Sequence, residues 1–349
     1  MDLQRILLIG AIAILSFMLL TEWVAFKNAR NLAVAENPSR LLPENPVADP
    51  SPGLPSAADA PGSSDLPSAP EPMGDTTAQV DTTETPNRIV RVRTDVLQFV
   101  IDLTGGDIIE LSLPQHLEQL DNPDEPFVLL EQNENLVYIA RSGLIGTDGI
   151  DKNGRAEFSS SAAEYTLSEN ADTLVVELPW QQSDGVKVTK RFTLDRGSYL
   201  IDIDYLVENN SDSRWSSILF GQIKRESGPP PTQETSAMGM QPFLGFATTT
   251  PEDRFLKFQF DEIAEDPFKE TMPGGWIAMV QHYFLSAWVP AQNQTHTFSA
   301  RTSKNGFNLA EFTSPPLELD PGKSGRTGAS FYAGPKDQYT LKEISPYLD

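Results

Sequence analysis

Cysteine is absent from this 349-residue chain. That excludes disulfides, thiolate nucleophiles, cysteine zinc sites and iron–sulfur clusters, and it is compatible with an oxidising envelope compartment. Histidine is scarce: His116, His282 and His296 lie far apart and form no HExxH or His-x-His spacing, so no metal site is expected. Basic residues number 26 against 49 acidic ones, for a formal net charge of -23. Such a chain is not drawn electrostatically to nucleic acid or to anionic headgroups. Long apolar runs are missing everywhere but the N-terminus.

That one run, Ile6 to Phe26, carries a single charge, Glu22, near its end. At about 1.5 Å per residue it covers roughly 31 Å, one hydrocarbon thickness, so residues 1–27 are expected to form a transmembrane anchor contacting lipid. The competing reading is a cleaved signal peptide, with Ala33-Val34-Ala35 as an A-x-A site. Against it, the triplet lies well beyond the apolar run, past Lys27 and Arg30. Residues 28–87 read as a linker: Asn37 to Asn87 holds eleven prolines and few large apolar side chains, too little burial to offset ordering entropy. A tether is the plain reading. A docking motif is the sharper one, and no charged or aromatic cluster supports it.

From residue 88 onward the texture is one of short alternating runs. Val186, Val188, Phe192 and Leu194 share one parity, and Tyr199, Ile201, Ile203, Tyr205 and Val207 form a second apolar face opposite Asp202 and Asp204. Gly105-Gly106, Asn153-Gly154, Asp184-Gly185 and Asn305-Gly306 are hairpin-type turn signals. The class predicted for residues 88–349 is mainly β, a large antiparallel β-sandwich. Gly228-Pro229-Pro230-Pro231 marks a surface loop, since three prolines offer no ladder donor. A short C-terminal helix is expected at about 336–345, with Pro335 in its first turn and Tyr339, Leu341 and Ile344 turned inward.

The densest apolar stretch of the sandwich region is GGWIAMVQHYFLSAWVP, Gly274 to Pro290. It is too short to span a bilayer as a helix and reads as two strands, Trp276 to Val280 and Tyr283 to Val289, with both faces covered. Trp276, Tyr283, Phe284 and Trp288 are either core packing or the lining of a groove for an extended apolar partner. His282, inside this stretch, reads as a structural histidine, and His296, in a polar run, as solvated. Asp148 to Gly154, DGIDKNG, fails the register of a calcium loop and reads as a turn.

The same stretch resembles the GGWVAM(L)QxYFxxAWIP segment in the large periplasmic domain of the YidC membrane protein insertases. Met1 to Leu8 (MDLQRILL), Arg93 to Ile108 (RTDVLQFVIDLTGGDI) and Thr250 to Ala264 (TPEDRFLKFQFDEIA) are similar to further segments of that family in the same order. The resemblance implies a supersandwich related to the galactose mutarotase fold. It also implies a bacterial inner-membrane location, with a short cytoplasmic tail and the bulk of the chain in the periplasm. Gly105, Gly106, Gly274, Gly275 and Pro290 fall on its motifs as structural residues. The function implied is support of the insertion, folding and assembly of integral membrane proteins, alone or with the Sec translocon and its accessory subunits. Nascent membrane proteins would be the clients. In the family the insertion groove lies between later membrane helices, so this portion is expected to be an accessory docking domain, neither enzyme nor cofactor binder. The alternatives are a tethered carbohydrate-binding or mutarotase-like module and a general periplasmic chaperone.

Overall fold

Period-two alternation of apolar side chains makes eighteen strands among the described residues, and two short helices accompany them. The computed structural model describes residues 65–67, 88–117, 125–133, 136–181, 185–228 and 243–349, all within one unit, Ala58–Asp349. The expected anchor, most of the expected linker and the triple-proline loop lie outside the described residues. Among the described residues no helix is long and apolar enough to cross a membrane.

The first strands are β1 (Ile89–Arg93), β2 (Gln98–Asp102), β3 (Asp107–Leu117), β4 (Pro126–Gln132), β5 (Val137–Ile145) and β6 (Glu164–Thr166). There follow β7 (Thr173–Gln181), β8 (Val186–Asp195), β9 (Leu200–Asn209), β10 (Trp215–Arg225), β11 (Gly245–Thr248) and β12 (Leu256–Phe258). Helix α1 (Phe260–Glu265) precedes β13 (Phe268–Pro273), β14 (Ile277–Val280) and β15 (Phe284–Pro290). The chain closes with β16 (Thr295–Thr302), β17 (Asn308–Leu319), β18 (Lys323–Pro335) and α2 (Gln338–Ile344).

A ten-stranded sheet runs β13-β16-β17-β10-β5-β4-β3-β2-β1-β6, and an eight-stranded sheet runs β12-β11-β14-β15-β18-β9-β8-β7. Pairing is antiparallel except where β6 joins β1 in parallel. The large antiparallel sandwich expected from the alternation is what forms, and its main core lies between the sheets. Val186, Val188, Phe192 and Leu194 of β8 and Ile201, Ile203, Tyr205 and Val207 of β9 all point into it.

The β14–β15 hairpin is covered on both faces, as apolar residues on both of its parities require. Ile277, Met279 and Trp288 enter the main core, whereas Trp276, Ala278, Val280, Leu285, Ala287 and Val289 enter a second core beneath Leu341 of α2 and Leu348. Gly274 and Gly275, at φ of 62° and 89°, form the turn that carries the chain from β13 in one sheet to β14 in the other. Gln292 braces that turn, accepting from Gly275 N at 3.1 Å and donating to Gly275 O at 2.9 Å. Pro290 ends β15 opposite Ala329.

Four expectations need correction. Tyr339 is 81% exposed while Leu341 is buried and Ile344 packs on the second core. Two residues along an α-helix is a turn of about 200°, so Tyr339 cannot share the face of Leu341. Pro335 closes β18 instead of opening the helix, and Asp337 caps α2 by accepting from Thr340 N at 2.8 Å. Asn153-Gly154 is not a hairpin tip; it lies in the loop that follows β5. The two histidines exchange roles, because His282 is exposed in the turn of the β14–β15 hairpin, whereas His296 in β16 is 1% exposed. His296 Nε2 bonds Ala291 O at 2.8 Å and Nδ1 bonds Ser314 Oγ at 3.1 Å. Helix α1 has no counterpart in the alternation pattern. Its start is held by Glu262, whose carboxylate accepts from Gln259 N at 2.8 Å.

Candidate functional site

The four aromatic candidates separate. Trp276 is fully buried in the second core, tilted against Phe255, and its Nε1 donates to Pro346 O at 3.1 Å. Trp288 is buried in the main core between Phe312 and Phe331. Neither lines a groove. Tyr283 is 70% exposed in the hairpin turn, and Phe284, the next residue, is half-buried.

Phe284 is the centre of a surface cluster. Its ring stacks on Phe127 of β4 at 4.1 Å between centroids and meets His116 of β3 edge-on at 5.3 Å. His116 Nε2 bonds the Tyr199 hydroxyl at 3.0 Å. Burial pushes the His116 imidazolium below its ordinary range, and burial with the field of Asp95 pushes the Tyr199 phenol up. Both are therefore neutral at pH 7. Leu117 and Val128, on the paired strands β3 and β4 that supply His116 and Phe127, are exposed large apolar residues. The β14–β15 turn itself is held by Lys336, whose N–H donates to Tyr283 O at 2.8 Å. An aromatic surface cluster is thus set into a strongly acidic protein. It offers flat apolar faces to a ligand and no paired acid and base.

A second concavity, of about 680 Å³, lies between α1 and the ends of β16 and β17, walled by Phe243, Leu244 and Phe260 with Gln259, Asp261 and Asn308. Its rim includes Ser227 and Phe243, which flank residues 229–242, outside the described residues.

Parity alone hides a third feature, a buried cluster of charges at the Gly105-Gly106 turn. Lys190 of β8 points into the main core between Val188 and Phe192, and its Nζ donates to Gly105 O, Gly106 O and Ser142 O at 3.0, 2.8 and 3.2 Å. From the loop after β5, Arg155 reaches the same turn. It ion-pairs with Asp107 and with Asp151, the latter at 2.9 Å, and donates to Gly105 O and Ser142 O at 3.1 and 2.8 Å. Burial opposes the charge of Arg155, but Asp107 and Asp151 prevail and hold it above its ordinary range. Arg141 adds a bond to Asp107 at 3.3 Å. The signal was visible in the sequence: a lysine on the inward parity of an otherwise apolar strand. The cluster clamps the two sheets, since β8 belongs to one and the Gly-Gly turn joins β2 and β3 of the other. Both glycines have positive φ, 84° and 61°, and a Cβ on Gly106 would stand 2.8 Å from Lys190 Cδ. Gly106→Ala is accordingly expected to cost about 1–2 kcal/mol, a lowering of the melting temperature that a thermal scan reads directly.

Residues 89–349 match the family described as the YidC periplasmic domain. Over the whole chain the sequence is 43% identical to a membrane protein insertase YidC of Cellvibrio japonicus and 39% identical to one of Stutzerimonas stutzeri. In both cases it spans 61% of the relative's length. Among solved structures, a galactose mutarotase-like protein from Lactobacillus casei aligns with a TM-score of 0.47 at 10% identity, over 71% of this chain and 99% of that one.

Proposed function

The chain belongs to the YidC family, with residues 89–349 as its periplasmic domain, and from that premise we propose that it is the N-terminal part of an insertase. The whole protein supports insertion, folding and assembly of inner-membrane proteins, alone or beside the Sec translocon. Residues 1–27 anchor it with a short tail in the cytoplasm, and the sandwich stands in the periplasm as a docking domain without insertion activity of its own. No group is assigned a catalytic role.

One observation carries the docking reading: the exposed Tyr283 beside the Phe284, Phe127 and His116 cluster. Exposed apolar surface of this kind on a charged protein marks a contact site. The occupants proposed are emerging apolar segments of client proteins or accessory subunits of the Sec translocon. A photo-crosslinking residue in place of Tyr283 in growing cells should give adducts with such proteins. The same probe in place of Val175, exposed on the edge strand β7, should not. Equal labelling from both positions overturns the assignment. Because Tyr283 is a surface side chain, Tyr283→Ala should move stability by no more than about 0.5 kcal/mol while abolishing the adducts formed by a probe at Phe284. The lack of insertion activity has its own test: the 349-residue chain, reconstituted alone in liposomes, should leave a small client protein protease-sensitive outside.

A further inference from the structure

Within the proline-rich stretch, residues 65–67 are described, and they are seated on the outer face of the large sheet. That face is built for them by register. On β10, Ile218, Phe220, Gln222 and Lys224 share the parity opposite to the core residues Leu219 and Ile223. Gln222 stands opposite Glu311 of β17, which stands opposite Ser299 of β16, two residues before Arg301. The stripe thus runs from apolar to polar to cationic along one strand.

Each part of the short segment has its own partner there. Lys224 ion-pairs with the Asp65 carboxylate, both side chains being mostly buried. The ammonium also sits 3.8 Å from the Phe307 ring centroid, a cation–π contact that adds to its hold. Gln222, fully buried, donates to the main-chain carbonyl of Asp65. Its amide is fixed from both ends, donating to Glu311 Oε2 at 2.8 Å and accepting from Arg141 Nη1 at 3.2 Å. Arg301 donates to the next carbonyl, Leu66 O, at 3.2 Å, and is itself oriented by Glu311 Oε1 at 2.8 Å. The Leu66 side chain packs on the separate apolar cluster of Ile145, Ile218 and Phe220. Pro67 is buried. Two successive carbonyls, one carboxylate and one apolar side chain are read by preoriented groups, so little ordering of the receptor is needed to bind the segment.

We propose that the outer face of β10 is a receptor for a short acidic–leucine peptide held in a bend, and that its resident ligand is the chain's own segment Asp65–Pro67. The contact pins the tether to the domain. It also keeps Leu66 over an apolar patch that would otherwise face water. Burial disfavours the charged form of Asp65, but the bond and field of Lys224 outweigh it, so the carboxyl titrates below its ordinary value. At neutral pH the Asp65 carboxyl is therefore ionised.

Limited proteolysis of the full 349-residue chain with an endoprotease that cuts before aspartate tests this. The stretch offers its own comparator in Asp49. The measured quantity is the ratio of cleavage before Asp65 to cleavage before Asp49, divided by the same ratio in the urea-unfolded chain to remove sequence preference. In the native protein it should be about tenfold below one. Leu66→Ser and Lys224→Ala should each bring it back towards one. Leu66→Ser leaves both cleavage sites and the whole sandwich untouched, so it decides the matter even where Lys224→Ala perturbs folding. A native ratio near one, or protection that survives Leu66→Ser, overturns the proposal. Neither outcome depends on any partner of the aromatic cluster.

Discussion

Arg155→Met will lower the unfolding free energy by about 3–5 kcal/mol, the range for removing one partner of a buried ion pair. The guanidinium answers two carboxylates, Asp107 and Asp151, and two carbonyls, Gly105 O and Ser142 O, from a largely buried position. Methionine fills the volume and leaves all four acceptors without that donor. Asp151 also accepts from Leu144 N at 2.9 Å and Ala156 N at 3.1 Å, so its carboxylate keeps two bonds. Asp107 keeps the bond from Arg141. Gly105 O and Ser142 O keep their bonds from Lys190, so most of the loss falls on Asp107. For a domain of this size the melting temperature should drop by roughly 10 °C. Arg155→Lys should fall between the two, since an ammonium supplies three donors without the planar fork. Adding Asp107→Asn to Arg155→Met should recover part of the loss, because the unpaired charge is then gone. A cost below about 1 kcal/mol for Arg155→Met would mean that water reaches the cluster and replaces the guanidinium.

This cluster marks where reading the chain by period stops. Alternation placed Val186, Val188, Phe192 and Leu194 on the buried face of β8 because burial of one strand face is a local property of its sequence. The same rule places Lys190 there too, and a lone lysine on that parity looks like an exception until the Gly105-Gly106 turn is known to lie opposite it. That opposition comes from sheet stacking, which no spacing along β8 encodes. Apolar residues on both parities of the Trp motif likewise told that both faces of β14 and β15 are covered, yet not that Trp276 and Trp288 enter different cores. His296 illustrates the converse error. Its neighbours Gln292, Gln294 and Thr295 are polar, but in β16 only its own parity matters, and that parity carries Phe298 and Ala300 into the core. Residues 65–67 lie furthest from sequence reading. Their hydrogen-bond and ion-pair partners are 157 or more residues away, and a proline-rich composition gives no hint of a seat for three residues.

Lys190 itself will make stability climb with pH. Burial, assisted by the charge of Arg155 and opposed by Asp107 and Asp151, pushes its ammonium down to about 7 from an ordinary 10.5. Between those two values the unfolded chain carries a proton that the folded chain has shed. Unfolding then takes up a proton, and the free energy of unfolding rises with pH through that window, by up to about 1.4 kcal/mol per unit. Below 7 the folded protein holds the buried charge, and the contribution is at its least favourable. Lys190→Met removes this titration while leaving Tyr138, Tyr205 and Tyr332, whose phenols burial pushes up, common to both proteins. The difference in stability between the wild type and Lys190→Met should therefore move in favour of the wild type by roughly 2 kcal/mol from pH 7 to pH 9, read from urea unfolding at each pH. A flat difference would mean that the three carbonyls of Gly105, Gly106 and Ser142 keep the ammonium charged throughout. The Gly-Gly turn would then act as a cation cradle made of backbone dipoles, and the sheets would be clamped by a permanent charge at every pH in the window.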